Sequence, residues 1–391
     1  MSDIMTGSDQ RLARQKNMEM IFNLLKDKDL SSSEMATQMG LSKTALTKIM
    51  KEMLDANYVF YNESDVIEER RGRRKQYFTL NPNMGMFLFV NFIYQHIEVI
   101  LYDLTGKEIK RLTKPTQGVS EDLILPNLIS EVIHLVQAYQ TDSRVLMNVL
   151  IAAPGKVDKK KNVFKQSNMY KALESSELAQ TLHEQLNVPV YLKNDINLAL
   201  HGYMKKHDEK QSNTLMIYMG DSVGGAVYTN GSILEGDHGY AAEFGLMKTF
   251  DEKGNLTTIE SLCSMKSLYR KLNLSEVSEL KGLAQRYDLT LSSALDKLSQ
   301  HMAQLMHNFY QIFDFEHMCI AGDIEVIRDF FLPKLDNKLG LYDLENREIK
   351  IDFERDIESL MILGAKDLLQ SQAFQTLIDK RKDKMVHYDN I

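Results

Sequence analysis

Apolar positions in the first eighty residues change period twice. Between residues 12 and 28, Leu12, Met18, Ile21, Phe22, Leu24 and Leu25 recur with mostly helical spacing. Ser31 and Glu34 then stand as a capping box ahead of a second apolar set, Met35, Ala36 and Met39. Gly40 predicts the end of that helix, since glycine accepts the left-handed backbone of a helix C-terminus. Ser42 is placed to cap a further helix from Lys43 to about Ala56, with Ala45, Ile49, Met53 and also Leu46 turned inward. The period then falls to that of strands: Tyr58–Asn62 and Gln76–Asn81 read as a hairpin around SDVIEERRGRRK.

Two short helices across a tight glycine turn, followed by a hairpin, predict a winged helix-turn-helix over residues 1–82. The outward face of its second helix offers Ser42, Lys43, Thr44, Thr47, Lys48 and Lys51, with no carboxylate before Glu52. The hairpin tip carries Arg70, Arg71, Arg73, Arg74 and Lys75 around Gly72. These are side chains for phosphate pairing and groove contact on double-stranded DNA. The plainer alternatives are a helical hairpin with a solvated basic face and a charge run balanced by Glu68 and Glu69.

From Met84 the pattern becomes long apolar runs alternating with amphipathic ones, which predicts an α/β body over 83–391. MFLFVNFIYQHIEVILYDLTGKEI reads as two long strands with a turn at Thr105–Gly106. Residues 122–140 and 172–186 read as helices. VLMNVLIAAPGKVD reads as a buried strand entering a Pro-Gly loop. VPVYLKNDINLALHGYM reads as strand, polar turn and helix, and TLMIYMGDSVGGAVYTNGSIL as two strands about a glycine-rich turn.

Charge sharpens the division. Residues 1–80 hold 13 Lys and Arg against 12 Asp and Glu; the other 311 hold 34 against 42. An acidic body with a locally basic head suggests that the head alone approaches a polyanion. Cys263 and Cys319 are the only cysteines and form no ligand cluster, which predicts a reducing, cytoplasmic setting without disulfides or a thiolate zinc site. No apolar run approaches 18 residues and the N-terminus lacks a signal-peptide core, so no membrane association is expected.

Several segments resemble the ROK family of repressors, open reading frames and kinases. APGKVD (153–158) resembles the family's PGxVD loop, KNDINLAL (193–200) its END-x-N-x-A segment, GDSVGGAVYTNG (220–231) its second glycine turn, and HGYAAEFGLM (238–247) its G-x-AGE-x-GH-M segment. RRGRRKQYFTLNP resembles the wing of the family's sugar-responsive repressors. The implied fold is a winged helix-turn-helix followed by a two-lobed actin-like body. The departures matter as much. The family's ATP-binding DxGxT is replaced by Asn91, Phe92, Ile93, Tyr94 and Gln95; Asp221 puts a carboxylate in the second glycine turn; CIAGDIEVI keeps only Gly322 of a third. Leu246 stands for the zinc-binding His, and the cysteine cluster is missing. ATP, zinc and catalysis are therefore expected to be lost. By the resemblance, Asn194, Asp195, Glu243 and Glu260 would bind sugar hydroxyls, with Asp195 at the kinases' catalytic-base position; Asn194 and Asp195 could instead merely cap a helix. The expectation is a cytoplasmic repressor of carbohydrate genes, acting on operator DNA as a homodimer or dimer of dimers and responding to a sugar or sugar derivative. The alternatives are an active ATP-dependent sugar kinase with a fused DNA-binding head, and a DNA-bound regulator controlled by a protein partner.

Overall fold

The computed structural model describes residues 7–62, 76–167, 170–208, 212–342 and 349–388. The head comprises α1 (Gly7–Leu25), β1 (Leu30–Ser31), α2 (Ser32–Met39), α3 (Lys43–Asp55), β2 (Val59–Asn62) and β3 (Tyr77–Leu80). The three strands pair antiparallel in the order β1-β3-β2. Ser31 closes the capping box: its hydroxyl accepts from Glu34 N, and the Glu34 carboxylate accepts from Ser31 N at 2.8 Å. Gly40 takes φ 64°, which returns Leu41 N to Ala36 O at 3.0 Å and seals the turn into α3. The buried face of α3 is Leu46, Ile49, Met50 and Met53. Ala45, expected inside, is only half-buried at the edge, because its short side chain does not reach the core that leucine and methionine fill. β1 was not anticipated; a strand of two residues is too short to show a period.

The chain divides into two compact units. The first contains the head, most of one five-stranded sheet and the C-terminal part of the chain. It continues with β4 (Met86–Ile93), β5 (His96–Asp103), β6 (Glu108–Pro115), α4 (Glu121–Tyr139) and β7 (Leu146–Ala153). The chain enters the second unit for the hairpin β8 (Lys156–Asp158) and β9 (Val163–Gln166). It returns with α5 (Leu178–Leu186) and β10 (Val190–Asn194). The sheet order is β10-β7-β4-β5-β6. β4 and β7 are interior strands buried on both faces, which explains their unbroken apolar sequence.

Three strands span the segment read as two. Ile93 pairs with His96, so Tyr94 and Gln95 form a two-residue hairpin with Gln95 at φ 67°. Tight turns of this kind are signalled by Asn-Gly or Asp-Gly, and Tyr-Gln gives no such signal. Asn91 lies within β4, fully buried, and neither its Nδ2 nor its Oδ1 has a hydrogen-bond partner.

The second unit continues through α6 (Asp195–His207), β11 (Thr214–Met219), β12 (Val223–Thr229), β13 (Ser232–Ile233), β14 (Lys248–Phe250) and β15 (Leu256–Thr258). Then come α7 (Ile259–Cys263), α8 (Met265–Leu272), α9 (Val277–Gln285), α10 (Leu289–Phe313), β16 (His317–Gly322), α11 (Arg328–Gly340) and β17 (Lys350–Glu354). Its sheet runs β13-β12-β11-β16-β17, with β11, β16 and β17 parallel and β12 antiparallel to β11. Leu295, Met302, Met306 and Phe309 of α10 enter one core cluster with Leu215 and Ile217 of β11. The polar turn expected before α6 is absent, because Asn194 ends β10 and caps α6 at once.

The last helix, α12 (Ile357–Tyr388), is 32 residues long and belongs to both units. In the second unit it meets α6 backbone to backbone: a Cβ on Gly202 would lie 1.9 Å from Leu360 O, and one on Gly364 would lie 2.2 Å from Leu198 O. In the first unit its later turns floor the head. Phe374 stacks on Phe22 with centroids 4.5 Å apart, Tyr58 donates to Leu377 O at 3.1 Å, and Lys26 pairs with Asp367 at 2.8 Å.

Candidate functional site

Two surfaces carry the chemistry singled out in the sequence. On the head, Ser42 is spent as the cap of α3, its hydroxyl accepting from Ala45 N at 3.2 Å. Thr47 donates to Lys43 O at 2.8 Å, which leaves its oxygen as an acceptor. Ser42, Lys43, Thr44, Thr47, Lys48 and Lys51 are all exposed. Glu52, the first carboxylate along α3, is ion-paired with Arg14 of α1, and Asp55 follows, exposed, in the last turn. The face is therefore cationic over its first turns, with its acids at the far end. The wing residues Arg70, Arg71, Arg73, Arg74 and Lys75 lie outside the described residues.

The second surface lies wholly in the second unit. Gly155 opens it: at φ 137°, with Gln166 O only 2.0 Å from where a Cβ would sit, no other residue fits between β7 and β8. Gly155 O accepts from Asn194 Nδ2 at 2.9 Å, and Asn194 Oδ1 accepts from Asn197 N at 3.0 Å. Asn194 thus caps α6 and ties the helix start to the Pro-Gly loop, and both of those bonds use its amide. Asp195 follows at the first turn of α6, its carboxylate accepting from Ile196 N at 2.9 Å. Glu260, at the start of α7, accepts from Val223 N at 3.2 Å.

Asn194, Asn197 and Glu243 line one small cavity with Gly225, Gly239 and Ala242. Its volume is about 30 Å³, room for a water or two. Asp195 and Glu260 do not line it, and each is coupled electrostatically to Glu243. Burial pushes the Asp195 carboxyl up to about 6 despite the backbone N–H bonds that favour its charge, and Glu243 adds repulsion. Burial likewise raises Glu243, opposed by Lys156 and reinforced by Glu260. The structure therefore gathers three carboxylates and an amide into one acceptor-rich corner. Such a corner receives hydroxyl donors.

Asn197 was not singled out from the sequence. Its Oδ1 is buried and unpaired beside the cavity. The available signal was the second Asn of the END-x-N-x-A resemblance, which falls on Asn197. Ala242 is the other surprise. It holds φ 63°, a conformation costing a non-glycine residue about 1–2 kcal/mol, immediately before Glu243.

The segments compared with phosphate loops carry bulky or acidic side chains. β4 and β5 pair as far as Ile93 and His96, which puts Tyr94 and Gln95 in a two-residue hairpin. At the C-terminal ends of β11 and β16, Tyr218 lies against Gly220, with its OH 2.4 Å from where a Cβ would sit. Burial, together with Asp195, Asp323 and Asp221, raises the Tyr218 phenol to about 12. Tyr269 donates to Asp323 at 3.5 Å. The zinc segment does not fit a metal either. Leu246 is exposed, and β14–β15 is closed by the Asp251 carboxylate, which accepts from Lys253 N, Asn255 N and Asn255 Nδ2 at 2.8–3.0 Å. Cys263 is the only thiol in 246–263 and is buried, which raises its pKa to about 12.

A winged helix joined to two α/β units, with sugar-kinase-like motifs around one acceptor corner, defines the class. The ROK family profile matches residues 94–370, and the chain belongs to that family. The xylose repressor of Bacillus subtilis (strain 168) is 22% identical over 334 residues, covering 81% of this chain and 84% of that protein. A β-glucoside kinase of Listeria innocua is 22% identical over 284 residues, covering 65% and 92%. Among solved structures, a ROK family transcriptional regulator described as a homolog of the E. coli MLC protein superposes with a TM-score of 0.74 at 17% identity, covering 94% of this chain and 99% of that one. A glucokinase from Streptomyces griseus, in complex with glucose and AMPPNP, superposes at 0.56 and 17% identity, covering 73% and 99%. The fold is thus a winged helix-turn-helix followed by the two-lobed actin-like ROK body. Among the described residues no helix is long and apolar enough to cross a membrane.

Proposed function

We propose that this chain is a DNA-binding transcriptional repressor of carbohydrate genes, with a body that binds a sugar or sugar derivative and does not phosphorylate it. The observation that carries the reading is the face of α3: capped, packed through four buried residues, and cationic over its first turns, with Glu52 paired to Arg14. The similarity to the MLC homolog extends over 94% of the chain, head included, whereas the kinase matches cover 65% and 73%. Operator DNA is the expected partner, bound by a homodimer or dimer of dimers whose two-fold matches a palindromic site. No metal or nucleotide cofactor is part of this reading; Asp221 and Asp323 would repel nucleotide phosphates from the turns they occupy.

The test is fluorescence anisotropy with genomic fragments at several salt concentrations. Exchanging Lys43 and Thr44 for alanine should change sequence preference. Exchanging Arg71, Arg73 and Arg74 for alanine should flatten the salt slope by about one for each phosphate left unpaired. No fragment retained above non-specific binding would overturn the repressor reading. One observation favours a kinase instead: Asp195, with its raised pKa, could accept a proton from a sugar hydroxyl. ATP-dependent sugar turnover that vanishes in Asp195→Ala would establish that reading in place of ours.

A further inference from the structure

The small cavity at the start of α6 has an unbalanced lining. Three polar side chains reach it, those of Asn194, Asn197 and Glu243, and the rest of its wall is Ile196, alanine and glycine. Asn194 is spent on both sides of its amide, donating to Gly155 O and accepting from Asn197 N. What remains are acceptors. Asn197 Oδ1 is buried without a partner among the described residues, and the Glu243 carboxylate makes no hydrogen bond or ion pair among them. The turn that carries Glu243 is fixed by its backbone: Phe244 N donates to Ala242 O at 2.7 Å and Leu246 N to Glu243 O at 3.1 Å. Gly225 lets this turn close on β12, since a Cβ there would lie 2.7 Å from Ala242 O.

No cationic side chain lines the cavity. The β8–β9 hairpin lies against the same turn: Lys159 N donates to His238 O at 3.2 Å, and Gly239 packs on Val157 O so closely that a Cβ would sit 2.3 Å from it. Its Lys159, together with Lys193, is spent on Glu235: burial alone would raise that carboxyl, and the two ammonium groups outweigh it and hold it low. Lys156 is felt by Glu243, and the start of α6 adds about half a positive charge. Against these stand three carboxylates, Glu243 with Asp195 and Glu260 coupled to it. The corner is thus negative on balance and lacks donors. Its enclosed volume, about 30 Å³, admits one small polar group. A hydroxyl has a single proton, so between Asn197 Oδ1 and the Glu243 carboxylate it satisfies one acceptor and turns lone pairs on the other. A primary ammonium has three protons and no lone pair, serves both acceptors, and brings the charge that offsets the carboxylates.

We propose that this cavity is an ammonium subsite and that the ligand of the corner is an amino sugar, its ammonium group donating to Asn197 Oδ1 and the Glu243 carboxylate. This rests on the sugar-binding reading above. The test is isothermal titration of the full chain with matched sets: glucose, galactose and mannose; glucosamine, galactosamine and mannosamine; their N-acetyl forms; kanosamine, which carries the amine elsewhere on the ring; and methylamine alone. At least one free amine should bind ten-fold or more tightly than its hydroxyl parent. For the sugars with an N-acetyl form, the amine should also exceed that form, which keeps the nitrogen and loses the charge. Glu243→Gln and Asn197→Ala should each cut the preference for the amine several-fold, and scanning calorimetry checks that each variant is folded. Amine and hydroxyl parent binding alike, or a preference that persists in both variants, would overturn the ammonium assignment and leave the sugar reading intact. Methylamine binding as tightly as any amino sugar would show that the ring is not recognised, and would overturn the amino-sugar assignment. If no sugar of any set binds, both readings fail.

Discussion

The close approach of Gly202 and Gly364 makes a prediction whose sign is informative. In an exposed helix, replacing glycine by alanine gains about 1 kcal/mol, because alanine loses less backbone entropy on folding. At Gly202 the added methyl would sit 1.9 Å from Leu360 O, about 1 Å inside the 3.0 Å below which real Cβ contacts do not fall. The atom it meets is backbone, so no rotamer change relieves it and the two helices must part. Overpacking of this kind costs about 1–3 kcal/mol, and the upper end applies where neither side yields. Net of the propensity gain, Gly202→Ala should lose roughly 2 kcal/mol. For a unit of about 200 residues that lowers Tm by roughly 4–8 °C, read by scanning calorimetry. Gly282 in α9 is the control, since a Cβ there meets nothing within 4 Å; Gly282→Ala should raise Tm by a few degrees. Gly202→Ala combined with Gly364→Ala should cost less than the sum of the two, because the first methyl already separates the helices. If Gly202→Ala stabilises as Gly282→Ala does, α6 and α12 do not meet backbone to backbone, and the expected penalty is refuted.

Two further outcomes follow from the acceptor corner. Asp195 has a folded pKa of about 6 against 3.8 unfolded, so its penalty is absent below about pH 4, grows as pH rises through 6, and is complete by pH 7. Asp195→Asn should remove that pH dependence and stabilise the protein at pH 7 by about 2–3 kcal/mol in urea melts, with little change at pH 4; equal effects at both would contradict the buried carboxyl. Ala242→Gly should stabilise by roughly 0.5–1 kcal/mol, the left-handed penalty less glycine's extra unfolded entropy, and destabilisation on the same measurement would show that Ala242 is not strained.

What could be read from the sequence follows the range of the interactions. The capping box at Ser31–Glu34, the stop at Gly40 and the cap at Ser42 depend on residues three apart, and all three are found. Of the family-like segments, the strand entering the Pro-Gly loop and the two strands about the glycine turn read correctly, because each is a local unit, whereas the turn expected at Asn194 is a direct strand-to-helix junction. The hairpin β14–β15 escaped because the Asp251 and Asn255 bonds that close it look like ordinary surface polarity. Asn197, Ala242 and the lysines of β8–β9 matter through what lies beside them in space. Nothing in the spacing of residues 156–165 says that they face residues 235–243. The floor of the head, supplied by Phe374 and Leu377, lies at the far end of the chain.

That last separation bears on how the protein is made. The residues of the head leave the ribosome before those of α12, so Phe22 and Tyr58, which already meet each other, gain Phe374 and Leu377 only about 320–350 residues later. At about 5–20 residues per second the wait is roughly 15–70 s, during which a segment of eighty residues must hold its shape on a small and unfinished core. The helix that completes the head is translated after the strands of both sheets. A chain cut short before α12 therefore carries an α3 face without the residues that floor the head.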